Sequence, residues 1–247
     1  MNSVQDTAHW HYEPWPLMVG FGAGLFLPWA FMFQFVYHQE LFAVIALALG
    51  VILLLSGGIG WVSATVGVTR DEGWSPTAML IFIGTEVMTL LGLLAGYWTM
   101  RLQAPVWPPA GTPQIQAPVL ATAILIVSSV TIALARKRQM EGNARGFASM
   151  TLLSMAIWLV FAVMTVQLWE GLAAKGLKIS SNALSTNLFG LTGIHFAHIV
   201  FGLLIMLFAV IPALRGRLSP SYARAMTMYV HFVNVLGIWI LLQVFMW

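Results

Sequence analysis

Residues 187–214 read NLFGLTGIHFAHIVFGLLIMLFAVIPAL and contain no Asp, Glu, Lys or Arg. A helix of this length exceeds the roughly 20 residues that cross a hydrocarbon layer of about 30 Å. The whole chain of 247 residues is 60% hydrophobic and only 8% charged, with a mean hydropathy of +0.86. Soluble domains have about 25% charged residues. The composition therefore excludes soluble fold classes and indicates a helical membrane protein.

Six further apolar stretches accompany this one, and each is long enough to span a bilayer. We predict an all-α integral membrane protein with a single transmembrane domain over residues 1–247. Its seven predicted transmembrane helices are 15–37, 41–69, 74–100, 118–135, 147–169, 187–214 and 225–247.

The charged residues lie in the loops and are few. The net charge is only +3, which argues against a nucleic-acid partner. The loops predicted on the same side of the membrane as the N-terminus carry eight Lys and Arg residues, and those on the opposite side of the membrane carry three. Because cytoplasmic loops are enriched in basic residues, we predict a cytoplasmic N-terminus and an external C-terminus. The absence of cysteine excludes disulfides, thiolate zinc sites and cysteine-ligated iron–sulfur clusters.

One acidic residue and three histidines fall inside the predicted spans, which contain no Lys or Arg; they are Glu86, His195, His198 and His231. A charge near the middle of a span costs about 2.5–3.5 kcal/mol on insertion scales, so Glu86 is predicted to be protonated or paired. It has two interpretations. In the first, it is a functional group that relays protons or faces lipid or a cofactor. In the second, it forms an ordinary hydrogen bond between helices.

His195 and His198 are three residues apart and are predicted to share one helix face. A metal site would need further ligands, for which His231 and Glu86 are the candidates. That set is incomplete, and His198 and His231 are not at the matching depths that haem ligation requires. We therefore predict no metal or haem site in this chain and favour histidines that pack helices.

The third span carries three glycines, Gly84, Gly92 and Gly96, on one ridge, with Glu86 roughly opposite. Small residues permit close helix contact, so this ridge is predicted to pack tightly. The many Met, Phe and Trp residues are interpreted as lipid-facing or interfacial and are given no chemical role.

Six motifs occur in order along the chain. They are Pro14-Trp15-Pro16-Leu17, Thr85-Glu86-Val87, the loop Trp107-Pro108-Pro109-Ala110-Gly111, Gln167 with Glu170, Thr192-Gly193-Ile194-His195-Phe196-Ala197-His198, and Tyr229-Val230-His231-Phe232-Val233-Asn234-Val235. Taken together, they resemble the cytochrome c oxidase subunit III family of haem–copper oxidases. The last motif departs from the family pattern at Val230, where the family has Trp, and at Asn234, where it has Asp. Asn keeps the hydrogen-bonding shape of Asp but cannot titrate. These departures, and the short connection 70–73, imply a divergent member from a bacterial or archaeal cell membrane.

The resemblance implies a noncatalytic accessory subunit of a proton-pumping oxygen reductase. Its partners would be the catalytic subunit I, which holds haem and copper, and subunit II. The fold would divide into a two-helix part, about 15–69, and a five-helix part, about 74–247, with a cleft filled by phospholipid. Glu86 and His198 would lie beside this cleft, order lipid, shelter the oxygen route and sustain proton uptake, and we place His195 and His231 there too.

Arg224 is the candidate for a lipid head-group contact, because it precedes the last span and can snorkel to phosphate. A basic residue that merely faces water is the alternative. Three other functions remain open: subunit III of a quinol oxidase, an independent proton-coupled transporter that uses Glu86, and a di-histidine haem protein.

Overall fold

A computed structural model describes residues 14–66 and 74–246, and these residues are predominantly helical, with no β-strand among them. The short connection 70–73 lies outside the described residues. Within these described residues, six helices are long and apolar enough to cross a membrane. The stretches that meet this condition are Glu40–Trp61, Pro76–Gln103, Val119–Met140, Ala144–Ala174, Ala183–Leu214 and Pro220–Phe245. The prediction of an all-α membrane protein is confirmed.

The first predicted span is helical but not one regular α-helix. It begins as α1, Trp15–Gly24, and continues through π-helical turns at Leu25–Trp29 and Met32–Val36. Pro28 lies within the first π-helical turn. Proline has no N–H group and its ring collides with the carbonyl one α-turn earlier, so a wider turn accommodates it. The predicted span 15–37 is therefore helical from Trp15 to Val36, with π-helical turns in its second half.

The remaining helices have the following bounds. They are α2, Glu40–Val66; α3, Trp74–Gln103; α4, Val119–Met140; α5, Ala144–Ala174; α6, Ala183–Leu214; and α7, Pro220–Ile240, which continues into a π-helical turn at Leu241–Phe245.

Polar caps set the starts of the last three helices. The Asn143 side chain accepts a hydrogen bond from the Gly146 N–H at the start of α5. Asn182 and Ser185 form a reciprocal capping box at the start of α6. Ser219 caps α7, whose first residue, Pro220, needs no N–H partner. Each cap satisfies N–H groups that the helix itself leaves free.

The chain separates into two compact units, residues 1–67 and 68–247. In the first unit, α1 and its π-helical extension pack along α2. The contact is close because it uses glycines. A Cβ atom added at Gly50 would lie 2.6 Å from the Phe26 nitrogen, and one at Gly22 would lie 2.7 Å from the Leu54 nitrogen. Helices in a membrane gain no hydrophobic free energy by associating, because lipid tails are as apolar as the side chains. Small residues let the two backbones approach closely, and the resulting van der Waals contact stabilises the helix pair.

In the second unit, α7 is the central helix and packs against α3, α4 and α6, while α5 packs against α4 and α6. Trp158 of α5 is completely buried in this core, contrary to the expectation that the tryptophans face lipid. Its ring lies directly against Gly202 of α6, where any side chain would overlap it. The Trp158 Nε1–H donates to the Ser128 hydroxyl on α4 at 2.9 Å. A buried indole needs such a partner for its N–H group.

Gly202→Ala is expected to destabilise the chain, because its methyl group would overlap the Trp158 ring. Overpacking of this kind lowers the free energy of unfolding by about 1–3 kcal/mol. Thermal denaturation in detergent measures the effect. Gly190→Ala is the control, since an added Cβ at Gly190 on the same helix meets nothing within 4 Å. Equal midpoints for the two variants would contradict the assigned contact.

Candidate functional site

Glu86 of α3 and His198 of α6 form a pair inside the second unit. The Glu86 Oε2 lies 3.2 Å from the His198 Nε2, and the two side chains are only 26% and 13% exposed. The other ring nitrogen, Nδ1, lies 2.8 Å from the Ile194 carbonyl oxygen in the same helix. The prediction that Glu86 is protonated or paired is met by this contact.

The hydrogen bonds of the pair determine how many protons it holds. A carbonyl oxygen only accepts, so His198 Nδ1 must carry a proton and donate it to Ile194. The contact between Nε2 and Glu86 then needs one further proton, either on the carboxyl group or on the imidazole. Both arrangements have zero net charge, which is the form that a low-dielectric environment favours. The pair can therefore pass one proton between its members without creating a net charge.

Tyr229 of α7 completes this site and was not assigned a role from the sequence. Its hydroxyl donates to the His198 carbonyl at 3.2 Å, and its buried ring stacks on the His198 ring with centroids 6.4 Å apart. Phe82 of α3 also packs on the Tyr229 ring, with centroids 6.3 Å apart. In the sequence, the only indication of Tyr229 was its position two residues before His231 in the last motif.

His195 does not join the pair, although it is one turn from His198. It is 4% exposed, and its Nε2 lies 3.0 Å from the Val233 carbonyl of α7, to which it donates. The edge of Phe161 from α5 packs on its ring at 5.2 Å. His195 therefore links α6 to α7 and α5 in the core, as the helix-packing interpretation expects.

His231 is half-buried on α7, and no hydrogen bond or ion pair among the described residues links it to Glu86 or His198. In the part of the chain that the structure describes, no three His, Asp or Glu side chains are grouped closely enough to hold a metal ion.

Asn234 is at the centre of a buried polar network. Its Oδ1 accepts from Trp158 Nε1 at 3.1 Å, and its Nδ2 donates to the hydroxyls of Ser128 and Ser129 at 2.8 and 2.7 Å. The network joins α4, α5 and α7. Asn234 is thus a structural residue in this chain, and its amide group uses both its donor and its acceptor.

The glycine ridge of α3 does not pack as predicted. A Cβ added at Gly84, Gly92 or Gly96 would meet no described atom within 4 Å. The opposite face of α3, which carries Glu86, is the buried one, and it includes Leu90 and Tyr97. The expected tight contact at the glycines is therefore wrong within the described chain.

The Trp107-Pro108-Pro109-Ala110-Gly111 loop is tied down at both ends. The Trp107 ring meets Tyr97 edge-on at 5.8 Å, and Arg101 lies over it at 5.9 Å. Thr112 donates to the Pro109 carbonyl and accepts from Asn182 at the start of α6. Gly111 has a φ of +79°, which only glycine adopts readily.

The other predicted residues lie on the surface of the second unit. Gln167 and Glu170 are exposed near the end of α5, and Arg224 is exposed in the first turns of α7. None of them contacts the pair of Glu86 and His198.

Comparison with known proteins agrees with these landmarks. The family model of cytochrome c oxidase subunit III matches residues 10–247. Cytochrome c oxidase subunit 3 of Loxodonta africana is 25% identical over 95% of this chain and 94% of its own length. The proteins of the same name from Papio hamadryas and Aedes aegypti are 27% and 26% identical over 95% and 96% of this chain, and each match covers 94% of the relative.

The match runs almost from end to end, and the identity of about a quarter marks this sequence as divergent. The conclusion rests on the length of the match and agrees with the motifs that the fold places on α3, α5, α6 and α7. The chain belongs to the cytochrome c oxidase subunit III family.

Proposed function

We propose that this chain is the noncatalytic accessory subunit of a haem–copper oxygen reductase. The observation that carries the proposal is the pairing of Glu86 with His198, at the positions of two family motifs, in a chain that matches the family over nearly its whole length. Its partners are the catalytic subunit I, which supplies the haem and copper chemistry, and subunit II. Cytochrome c is the electron donor that we favour over quinol.

The arrangement around Glu86 supports a role in supplying protons. A titratable pair that is partly exposed can exchange a proton with its surroundings, and its two members can share that proton at zero net charge. Tyr229 holds the His198 backbone and ring in register with Glu86. We infer that the pair sustains proton uptake and orders lipid beside the oxygen route into the catalytic subunit.

The membrane placement belongs to the same proposal. The subunit is a multi-pass membrane protein, and we assign it to a bacterial or archaeal cell membrane with a cytoplasmic N-terminus. In this orientation the start of α7, with Arg224, lies on the cytoplasmic side.

Purification under mild detergent tests the central proposal. A tag on this chain should bring down a catalytic subunit that contains haem and copper, while the separated chain should show no Soret band. An independent transporter would instead purify alone and move protons in liposomes. One haem per chain that disappears on replacing His195 or His198 would overturn the accessory role.

Glu86→Gln and His198→Ala should leave the oxidase assembled but shorten its life during turnover. Each variant removes the shared proton site and leaves electron transfer intact. Oxygen consumption followed over many turnovers, with the initial rate recorded separately, measures this. Glu141→Gln is the control, because Glu141 forms only a surface pair with Arg138.

A purely structural role for the pair predicts a different result. Loss of a buried hydrogen-bond partner costs about 1–3 kcal/mol and would reduce the amount of assembled complex. Immediate loss of all activity in an intact complex would contradict both roles.

Arg224→Gln should lower the amount of tightly held phospholipid, because a guanidinium group near the membrane surface attracts phosphate. Lipid extraction and phosphate analysis of the washed complex give the count. Arg138→Gln serves as the control, since Arg138 pairs with Glu141 at the surface. Unchanged phosphate in Arg224→Gln would leave Arg224 as a residue that simply faces water.

A further inference from the structure

We propose that the outer surface of α5 and α6 binds one phospholipid whose head group carries both a phosphate and an amine. Its ammonium contacts Glu170, its phosphate contacts Lys178, and one acyl chain lies along α5. We call this surface the α5–α6 groove. It is formed by residues of the second unit alone and includes neither Glu86, His198 nor Arg224.

Two adjoining depressions form the groove, and Glu170 lines both. The first has a volume of about 460 Å³ and is mostly apolar, with Leu159, Val163 and Phe196 in its wall; besides Glu170, its polar lining residue is Gln167. The second encloses about 370 Å³ and contains Lys178. The apolar depression is therefore suited to an acyl chain, and the adjoining charged depression is suited to a phospholipid head group.

The dimensions of the apolar part fit one leaflet. Leu159 and Glu170 are 11 residues apart in a continuous helix. At 1.5 Å per residue they are separated by about 16 Å. Half of a hydrocarbon layer of about 30 Å has nearly the same depth. Since Glu170 is within about one turn of the end of α5, the groove runs from the membrane surface to about the bilayer midplane.

The boundary between the two depressions is rigid. Trp169 Nε1 donates to the Thr192 hydroxyl of α6 at 3.0 Å, and the Trp169 ring packs on Phe196 at 5.2 Å. Tryptophan is favoured at the membrane interface, where it has one apolar and one polar partner. The groove is therefore formed before any ligand binds, and no large rearrangement has to accompany binding.

The charged groups at the end of the groove have no partners among the described residues. Glu170 and Lys178 line the same depression, yet neither the Glu170 carboxyl group nor the Lys178 ammonium group forms an ion pair or hydrogen bond with the described chain. Only the Lys178 backbone N–H is bonded, to the Ser181 hydroxyl. Nearby Lys175 differs, since its Nζ donates to the Gln114 carbonyl. A carboxylate and an ammonium group that line one depression without pairing complement the two opposite charges of a zwitterionic head group.

The same charges argue against an anionic lipid as the preferred ligand. A head group with phosphate alone would satisfy Lys178 but would meet repulsion from Glu170. A transmembrane helix of another subunit would fill the apolar part, but nothing in such a helix requires opposite charges at one end. We therefore commit to the amine-bearing phospholipid and treat a partner helix as an outcome of the test.

Photo-crosslinking tests the site in the complex in which the full chain is purified. The probes are phosphatidylethanolamine and phosphatidylglycerol that carry the same diazirine-labelled acyl chain, each added separately at low mole fraction. Mass spectrometry of the digested chain then locates the labelled peptides. We expect α5 peptides from the 159–170 region to be labelled about fivefold more by the ethanolamine lipid, a ratio typical of one charge contact at a membrane surface.

Variants separate the two head-group contacts. Glu170→Gln should abolish the preference for the ethanolamine lipid, and Lys178→Gln should lower labelling by both probes. Lys175→Gln is the matched control, a lysine of the same loop that does not line the groove, and it should behave as the native chain. Val163→Trp should block the apolar part and remove labelling there without altering the charges.

Some results would overturn the site. These are equal labelling by both lipids in the native chain, or an effect of Lys175→Gln equal to that of Lys178→Gln. Crosslinking of another polypeptide to the groove in place of lipid would also overturn it, since the groove would then be a subunit contact. Copurification of the catalytic subunit is measured independently, so this proposal and the accessory role can fail separately.

Discussion

The structure of the second unit depends on one constraint: a polar group inside a hydrocarbon layer must find its partner within the protein. Water is absent there, and an unpartnered group costs several kcal/mol. The chain meets this constraint between helices. Asn234 joins α7 to α4 and α5, Thr131 and Ser154 join α4 to α5 at 2.6 Å, and His195 joins α6 to α7. Glu86 and His198 belong to the same class of contact and differ from it by being titratable and partly exposed.

The sequence correctly predicted a membrane protein and six of its spans, because an uncharged apolar stretch of more than about 20 residues is typical of a transmembrane helix. It also singled out Glu86 as a carboxyl group that requires a partner, and it offered three histidines of the spans as candidates. It could not show which partner, because two histidines one turn apart satisfy the same spacing. Only the packing of α6 between α3 and α7 directs His198 to Glu86 and His195 to Val233.

Other errors have similar physical origins. Glycines on one ridge permit close contact but do not require it, so Gly84, Gly92 and Gly96 gave a false signal. Trp158 was missed because its role depends on Ser128 and Asn234, which come from two other helices. Asn234 itself shows how divergence is accommodated. Its amide donates to two serine hydroxyls, whereas the acid of the family pattern, when ionised, would need those hydroxyls to turn and donate to it.

The close pairing of Glu86 and His198 also has an electrical consequence. A full charge that crosses the whole membrane exchanges about 2.3 kcal/mol with each 100 mV of potential. The two heavy atoms of the pair are 3.2 Å apart, about a tenth of the hydrocarbon thickness. Even if this displacement were parallel to the field, a proton passing between them would exchange no more than about 0.25 kcal/mol per 100 mV. The position of the shared proton is therefore nearly independent of the membrane voltage that respiration builds.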